Sequence, residues 1–241
     1  MTQGLLELGE ILLSNSQRRL ESVARNIANT ATPGFRAERL YEEILASQAN
    51  TEGDSVSPER RTVIATDFAQ ASLQLTGASL DLAIAGEGFF EVRDGDALSY
   101  VRSAHFERDT EGRLVDGAGR ALQALNGGDI FVADRAVEIL ADGTVMQDGV
   151  PLARIKVVAP ADLHSLVSLG GALFAAPDDA MAPVEEPLVR QGMIESSNVE
   201  TAEEMLQMMT AIRQAETGAR IVQAYDGLIG QAITSLGRTQ R

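Results

Sequence analysis

A chain does chemistry with groups that carry protons, attack electrophiles or hold metal ions, and this 241-residue sequence offers few of them. Cysteine is absent, which excludes a thiol nucleophile, a thiolate metal set and a disulfide. The two histidines, His105 and His164, are isolated in sequence, and a lone histidine is usually a surface or satisfied core residue. There is no GxxxxGK[ST] run and no GxSxG elbow, and "GEGFF" at 86–90 lacks the third glycine of a dinucleotide fingerprint. Paired carboxylates remain: Asp94, Asp96, Asp109, Glu111, Asp142 and Asp148. Two acids about 5–10 Å apart in a cleft could cleave a glycosidic bond. Yet all six lie at or near glycines in expected turns, where such side chains bond to backbone. The absence of Trp, with only three Tyr, also speaks against a sugar-stacking cleft. No catalytic residue, metal site or cofactor is expected.

The elements that would position any site fall into three zones. From Leu5 to Asn29 the pattern is helical. Leu6, Leu13, Leu20 and Ile27 recur every seven residues, with Gly9, Ser16 and Val23 between them, an a/d seam that is half small at d. Such a helix spans roughly 37 Å and needs a partner to cover its seam. A partner is expected after Ser196-Ser197-Asn198, in a proline-free run that continues nearly to the C-terminus. Ser197/Glu200 and Thr201/Glu204 both have capping-box spacing. Ala202, Met205, Met209, Ile212, Glu216, Ala219, Val222, Tyr225, Ile229, Ile233 and Leu236 advance by threes and fours, predicting a second seam. Gly218, Gly227 and Gly230 each weaken this helix by about 1 kcal/mol relative to Ala, so it should depend on packing.

Between the helices, residues 80–158 read as short alternating runs cut by Gly and Asp turns, beginning with "LDLAI" and "FFEV". A hairpin is expected at Asp94-Gly95-Asp96. Repeated strands without a helical period mean an antiparallel β domain. A helical stretch is expected around Ala161–Leu169. Residues 46–66 are polar and turn-rich, a loop or linker. The expected fold is therefore α+β: long N- and C-terminal helices pairing as an antiparallel coiled coil, with an inserted antiparallel β domain. The expected boundaries are 1–40 with 195–241 for the helical domain, 41–78 for a linker, and 79–194 for the β-rich middle.

Charge follows the same division. The net charge is −15 and the sequence pI about 4.5. Residues 1–40 hold five Arg against four Glu, and residues 195–241 four Arg against six acids, so the acidity sits in the middle. An acidic surface repels phosphate backbones and anionic headgroups, so neither nucleic acid nor a membrane surface is expected as a partner. No stretch approaches the roughly 20 apolar residues of a membrane span, and nothing reads as a cleaved signal peptide.

One stretch is too specific for an ordinary helix stop. "ARNIANTATPGFRAE", residues 24–38, resembles the N-terminal signature of the flagellar rod and hook family of axial proteins, A-x-N-I-A-N-x-x-T-P-G-F. The match falls on Ala24, Asn26, Ile27, Ala28, Asn29, Thr32, Pro33, Gly34 and Phe35. The local physics agrees: asparagines suit freed carbonyls at a helix end, and Gly34 permits a sharp turn. "LQLTGASLDLAIAGEGFFEV" (73–92) is similar to the family's entry into its β domain. "LVRQGMIESSNVETAEEMLQMM" (188–209), with Ser197, Asn198 and Val199, is similar to its return to the C-terminal helix. Within the family, the length and the segment 139–174 look most like the F-type proximal rod members, with the distal rod or hook type as alternative. Ala104-His105 and "RQAETGAR" (213–220) depart from the usual pattern.

The resemblance implies a structural subunit of the flagellar basal-body rod, periplasmic, and exported by the flagellar type III apparatus without a cleaved signal peptide. It implies other rod proteins and copies of the same chain as partners, with the helices forming an inner tube and the β domain an outer layer. The seam residues expected to carry assembly are Leu6, Leu13, Leu20, Val23, Ile27, Met205, Met209, Ile212, Val222 and Ile229. Two readings of other classes compete. One is a carboxylate hydrolase built on the turn acids. The other is an adhesin-like β protein on a trimeric coiled-coil stalk.

Overall fold

In a computed structural model the described residues are 2–45, 59–177 and 179–238. They form two compact units, one of residues 1–28, 38–65 and 200–241, the other of residues 29–37 and 66–199.

The first unit holds two helices, α1 (Thr2–Ala28) and α2 (Thr201–Arg238), with the paired strands Glu38–Leu45 and Glu59–Thr66. The first overlaps the start of the stretch 41–78 expected as linker and the second lies inside it; residues 46–58 lie outside the described residues. Helix α1 turns the expected residues inward. Gly9, Ser16 and Val23 are buried, and Leu6, Leu13, Leu20 and Ile27 half-buried.

The coiled coil is not what forms. On α2 the buried positions are Glu204, Ala211 and Gly218, one residue N-terminal to the expected stripe. Met205, Met209, Ile212 and Ile229 are instead 54%, 51%, 44% and 40% exposed. The helices approach where side chains are missing: a Cβ on Gly9 would stand 2.9 Å from Val222 Cγ2, and one on Gly218 would stand 3.0 Å from Leu13 Cγ and 3.1 Å from the Gly9 carbonyl. Close backbone approach at glycines takes the place of two interlocking apolar seams. The glycines give room for Ile221 and Val222 of α2 and Leu12 and Leu13 of α1 to pack beside them, and the Met205, Met209 and Ile212 stripe is left outside that contact.

The start of α2 differs from both capping boxes. Glu204 does not serve Thr201; its carboxylate accepts from Arg39 Nη1 at 3.1 Å, and its second oxygen is buried with no partner among the described residues. Ser197 Oγ accepts the Val199 N–H in a local turn.

The second unit is antiparallel β. Among the described residues eleven strands form one sheet. Its main path runs Val167–Gly170, Leu173–Ala175, Ala97–Val101, Phe89–Asp94, Ala121–Leu122, Leu114–Asp116, Ser103–Arg108, Asp81–Ile84 and Val189–Gln191. Phe89–Asp94 and Ala97–Val101 pair with Asp94 opposite Ala97, so Gly95-Asp96 is a two-residue turn with Gly95 at φ 58°. The core gathers Leu82, Ile84, Phe90, Phe106, Leu114, Leu122, Ile130 and Ile155, all at most 1% exposed, with Phe90 edge-on to Phe106 at 6.1 Å. The helix expected around Ala161–Leu169 is a single 3-10 turn, Leu163–Ser165, followed by the strand Val167–Gly170. Asp162 caps the turn by accepting the His164 N–H. A longer helix would have removed the edge strand from its partner Leu173–Ala175.

Candidate functional site

Motif residues are found in both units. In the helical unit Asn26 is 1% exposed. Its Oδ1 accepts the Glu38 N–H at 2.8 Å and its Nδ2 donates to the Glu38 carbonyl at 2.9 Å. Expected to serve carbonyls at the helix end, it pairs as a backbone mimic with the first residue of a strand. Ser22 donates to the same carbonyl, and Arg25 binds the Glu38 carboxylate at 2.7 Å.

In the β unit the segment 29–37 folds into successive turns. The Asn29 carbonyl accepts from Thr32 N, the Thr32 hydroxyl reaches Asn29 Oδ1 at 3.1 Å, and the Thr32 carbonyl accepts from Phe35 N. Half-buried Pro33 lies within this turn. Gly34 has φ 70°, and a Cβ there would meet the Ser103 backbone at 3.1 Å. Its N–H donates to the Glu195 carbonyl at 2.8 Å; the left-handed φ and the close Ser103 backbone are what disfavour a side chain there. Phe35, Ala37 and Val199 form a small buried cluster. Asn198 accepts the Ala37 N–H at 2.7 Å and donates to the Asp67 carbonyl at 2.8 Å. The two halves of the family motif, with Asn198 and Ala37 161 positions apart in sequence, are thus one hydrogen-bonded structure.

Beneath it lies a charged group to which the sequence alone gives no partners. Glu195 is fully buried, and its carboxylate accepts from Arg36 Nη2 at 2.7 Å, Arg102 Nε at 3.1 Å and Ala71 N at 2.8 Å. Arg102 also donates to the carbonyls of Gly88 and Gly86 and lies over the Phe89 ring. Burial pushes the Arg102 guanidinium below its usual range, opposed by Glu195. Arg36 is less well provided: Nε and Nη1 are buried with no partner among the described residues. The available signal was charge inside the motif itself, in "GFRAE" and "IESSNV". Charged residues amid buried motif positions must be paired.

The turn acids have structural partners. Asp109 accepts from the backbone of Glu111 and Arg113 and from the Arg113 side chain, Asp142 from Thr144, and Asp148 from Arg135. Asp94 and Asp96 are exposed on one hairpin. His105 contacts Asp81 across the strand pair, and His164 lies in the 3-10 turn. Among the described residues no group of three or more His, Asp or Glu side chains is placed to hold a metal ion.

The remaining feature is an apolar face. Of the expected assembly residues, those on α1 together with Val222 are buried or half-buried within the unit. Met205, Met209, Ile212 and Ile229 are exposed, joined by Leu206 and Leu228. Spacings of three and four residues place Met205, Met209 and Ile212 on one side of the helix.

Comparison with known proteins agrees with the motif. Residues 83–150 match the model of the flagellar hook protein FlgE/F/G D1 domain, and residues 190–235 that of the flagellar basal body rod FlgEFG protein C-terminal domain. The chain is 33% identical to the flagellar basal-body rod protein FlgF of Caulobacter vibrioides over 92% of its own length and 93% of that relative. It is 29% identical to FlgF of Rhizobium meliloti, covering 92% of each. It is 27% identical to FlgG of Bacillus subtilis, covering 92% and 94%. On the motif, the two matched domains and these full-length similarities, the chain belongs to the flagellar basal-body rod protein family.

Proposed function

We propose that this chain is a structural subunit of the flagellar basal-body rod, F-type, which assembles by burying the exposed face of α2 against neighbouring subunits. The carrying observation is the row of large apolar side chains on α2 that its own unit leaves in water, Met205, Leu206, Met209 and Ile212 foremost. Fully burying one such side chain from full exposure is worth about 1.5–3 kcal/mol. These four are each about half exposed, so together they contribute on the order of 5 kcal/mol before costs. Association takes roughly 4–15 kcal/mol in lost freedom. A single pairwise contact is therefore marginal, and several neighbours around one helix are needed. That is the behaviour of a subunit that stays monomeric until a growing structure supplies many contacts at once. Head-to-tail contacts that do not close give a tube or filament.

The partners on this reading are other rod proteins and further copies of the chain, after delivery by the flagellar type III export apparatus to the periplasmic rod. No catalytic role is assigned: Asp109 and Asp142 hold turns, Asp148 pairs with Arg135, and Asp94 and Asp96 are exposed on one hairpin. No helix among the described residues is long and apolar enough to cross a membrane. The lack of cysteine makes a direct test available. Met209→Cys should form cross-links to other rod subunits in isolated basal bodies with a short bifunctional thiol-to-amine reagent. Asp96→Cys, on an exposed hairpin turn, is the comparison site for labelling. Basal bodies containing the Met209→Cys chain, with that thiol freely alkylated and never cross-linked, would refute burial of this face.

A further inference from the structure

All the sulfur in this chain is thioether: there is no cysteine, and there are seven methionines. Met1 lies outside the described residues, and Met146, Met181, Met193 and Met208 are half-buried. Met205 and Met209 are the two that stand out, at 54% and 51% exposed. Four residues apart, they share one side of α2 and belong to the exposed apolar row with Leu206 and Ile212. Leucine and isoleucine supply apolar area that a mild oxidant does not alter. Methionine supplies apolar area that one does. Half of the row's four large side chains are therefore of the kind whose polarity chemistry can switch.

We infer that Met205 and Met209 form an oxidation site that controls entry of the free subunit into assembly, with hydrogen peroxide as the oxidant. Each thioether sulfur attacks one peroxide oxygen. An S–O bond forms, the O–O bond breaks, and the sulfur is oxidised to a sulfoxide. The departing hydroxide takes the proton of the transferred oxygen and leaves as water, the reduced product. Susceptibility follows exposure, and with no cysteine in the chain no thiol within it competes for the oxidant. The product is a polar side chain in place of a flexible apolar one, a change that disrupts methionine-rich interfaces. Leu206 and Ile212 offer the new oxygen no side-chain donor, so burying it against them strips hydrogen bonds that water supplied. Neighbours that cover the face would also shield the sulfurs, so the site acts on the free chain and not on a finished structure. That this face is the one to be buried rests on the rod-assembly reading, whereas the order of oxidation rests only on exposure and composition.

The test has two arms. In the first, the purified full chain is treated with hydrogen peroxide, quenched with catalase and mapped by mass spectrometry. Sulfoxide should accumulate at Met205 and Met209 at least about fivefold faster than at Met146, Met181 and Met193. In the second, cells lacking methionine sulfoxide reductases receive a peroxide pulse that is quenched before rods grow. Basal bodies are then compared with exported, unassembled chain. Sulfoxide at Met205 and Met209 should be depleted at least about tenfold in the basal bodies, with sulfoxide at Met146, Met181 and Met193 equal in the two pools. Oxidation spread evenly over all five methionines would overturn the site. Equal sulfoxide at Met205 and Met209 in both pools would overturn the control of assembly. Burial of the α2 face is judged separately, because the Met209→Cys cross-link reads it with no oxidant present.

Discussion

Single residues in the motif act by completing backbone hydrogen bonds, and Glu195 adds a buried ion group with Arg36 and Arg102. Removing one member of a buried ion group leaves an uncompensated charge, which typically costs about 3–5 kcal/mol. Glu195→Gln leaves Arg36 and Arg102 without their carboxylate, so urea unfolding of the β unit should show a loss of at least about 3 kcal/mol. A change under about 1 kcal/mol would mean that the pairs are not formed in solution. Asp142 tests the turns. The Thr144 backbone N–H, then its hydroxyl, hold the Asp142 carboxyl below its ordinary 3.8. A depressed folded-state value means that the stabilisation is fully present above the unfolded value and is lost as pH falls through the lower folded value. Stability should therefore decline below about pH 4, and Asp142→Asn, which keeps the acceptor oxygen but not the charge, should flatten that decline by lowering stability at neutral pH toward its acid value. An unchanged acid slope in the variant would contradict this assignment. The asparagines and Gly34 were legible from sequence as a motif, whereas their partners were not. Asn26 meets Glu38 twelve positions on and Asn198 meets Ala37 from the other end of the chain, pairings that no local pattern contains.

At the scale of elements, the two helices show where periodicity informs and where it misleads. In α1 the small positions Gly9 and Ser16 alternate with leucines, so one register satisfies both size and hydropathy. In α2 the two criteria disagree. Hydropathy favours Met205, Met209 and Ile212, while close approach favours Ala211 and Gly218, and the latter pair is buried. A hydropathy argument assumes that the apolar stripe faces the chain's own core, and this one faces outward. The glycines separate the two effects. Gly227 has open space where a Cβ would stand, so Gly227→Ala should stabilise α2 by up to about 1 kcal/mol through helix propensity. Gly218→Val should destabilise the helical unit by about 1–3 kcal/mol through overpacking against Leu13 and the Gly9 backbone. Thermal unfolding followed by far-ultraviolet circular dichroism distinguishes them, and a stabilised Gly218→Val would mean the helices are not in contact there. The strands of the β unit from Leu80 on were easier to read, because Gly and Asp turns mark their ends. Exceptions were 161–169, where a 3-10 turn and an edge strand occupy a stretch with helical composition, and the strands Glu38–Leu45 and Glu59–Thr66, which fall in or beside the stretch read as linker.

For the whole molecule, the same family motif that fixes local turns identifies a rod-family chain in which Met205, Leu206, Met209 and Ile212 of α2 are exposed among the described residues. Soluble monomers tolerate scattered exposed apolar residues, but a contiguous row marks an interaction surface. Close-packed helices of low compressibility suit the transmission of torque. The decisive measurement is on the double variant Met209→Asp/Ile212→Asp. Both positions are exposed, so the purified monomer should unfold within about 1 kcal/mol of the parent. In cells lacking the native chain, the variant should be produced and exported, yet rods should not be completed and swimming should be lost. A stable variant that builds full rods and restores swimming would contradict the account at its centre.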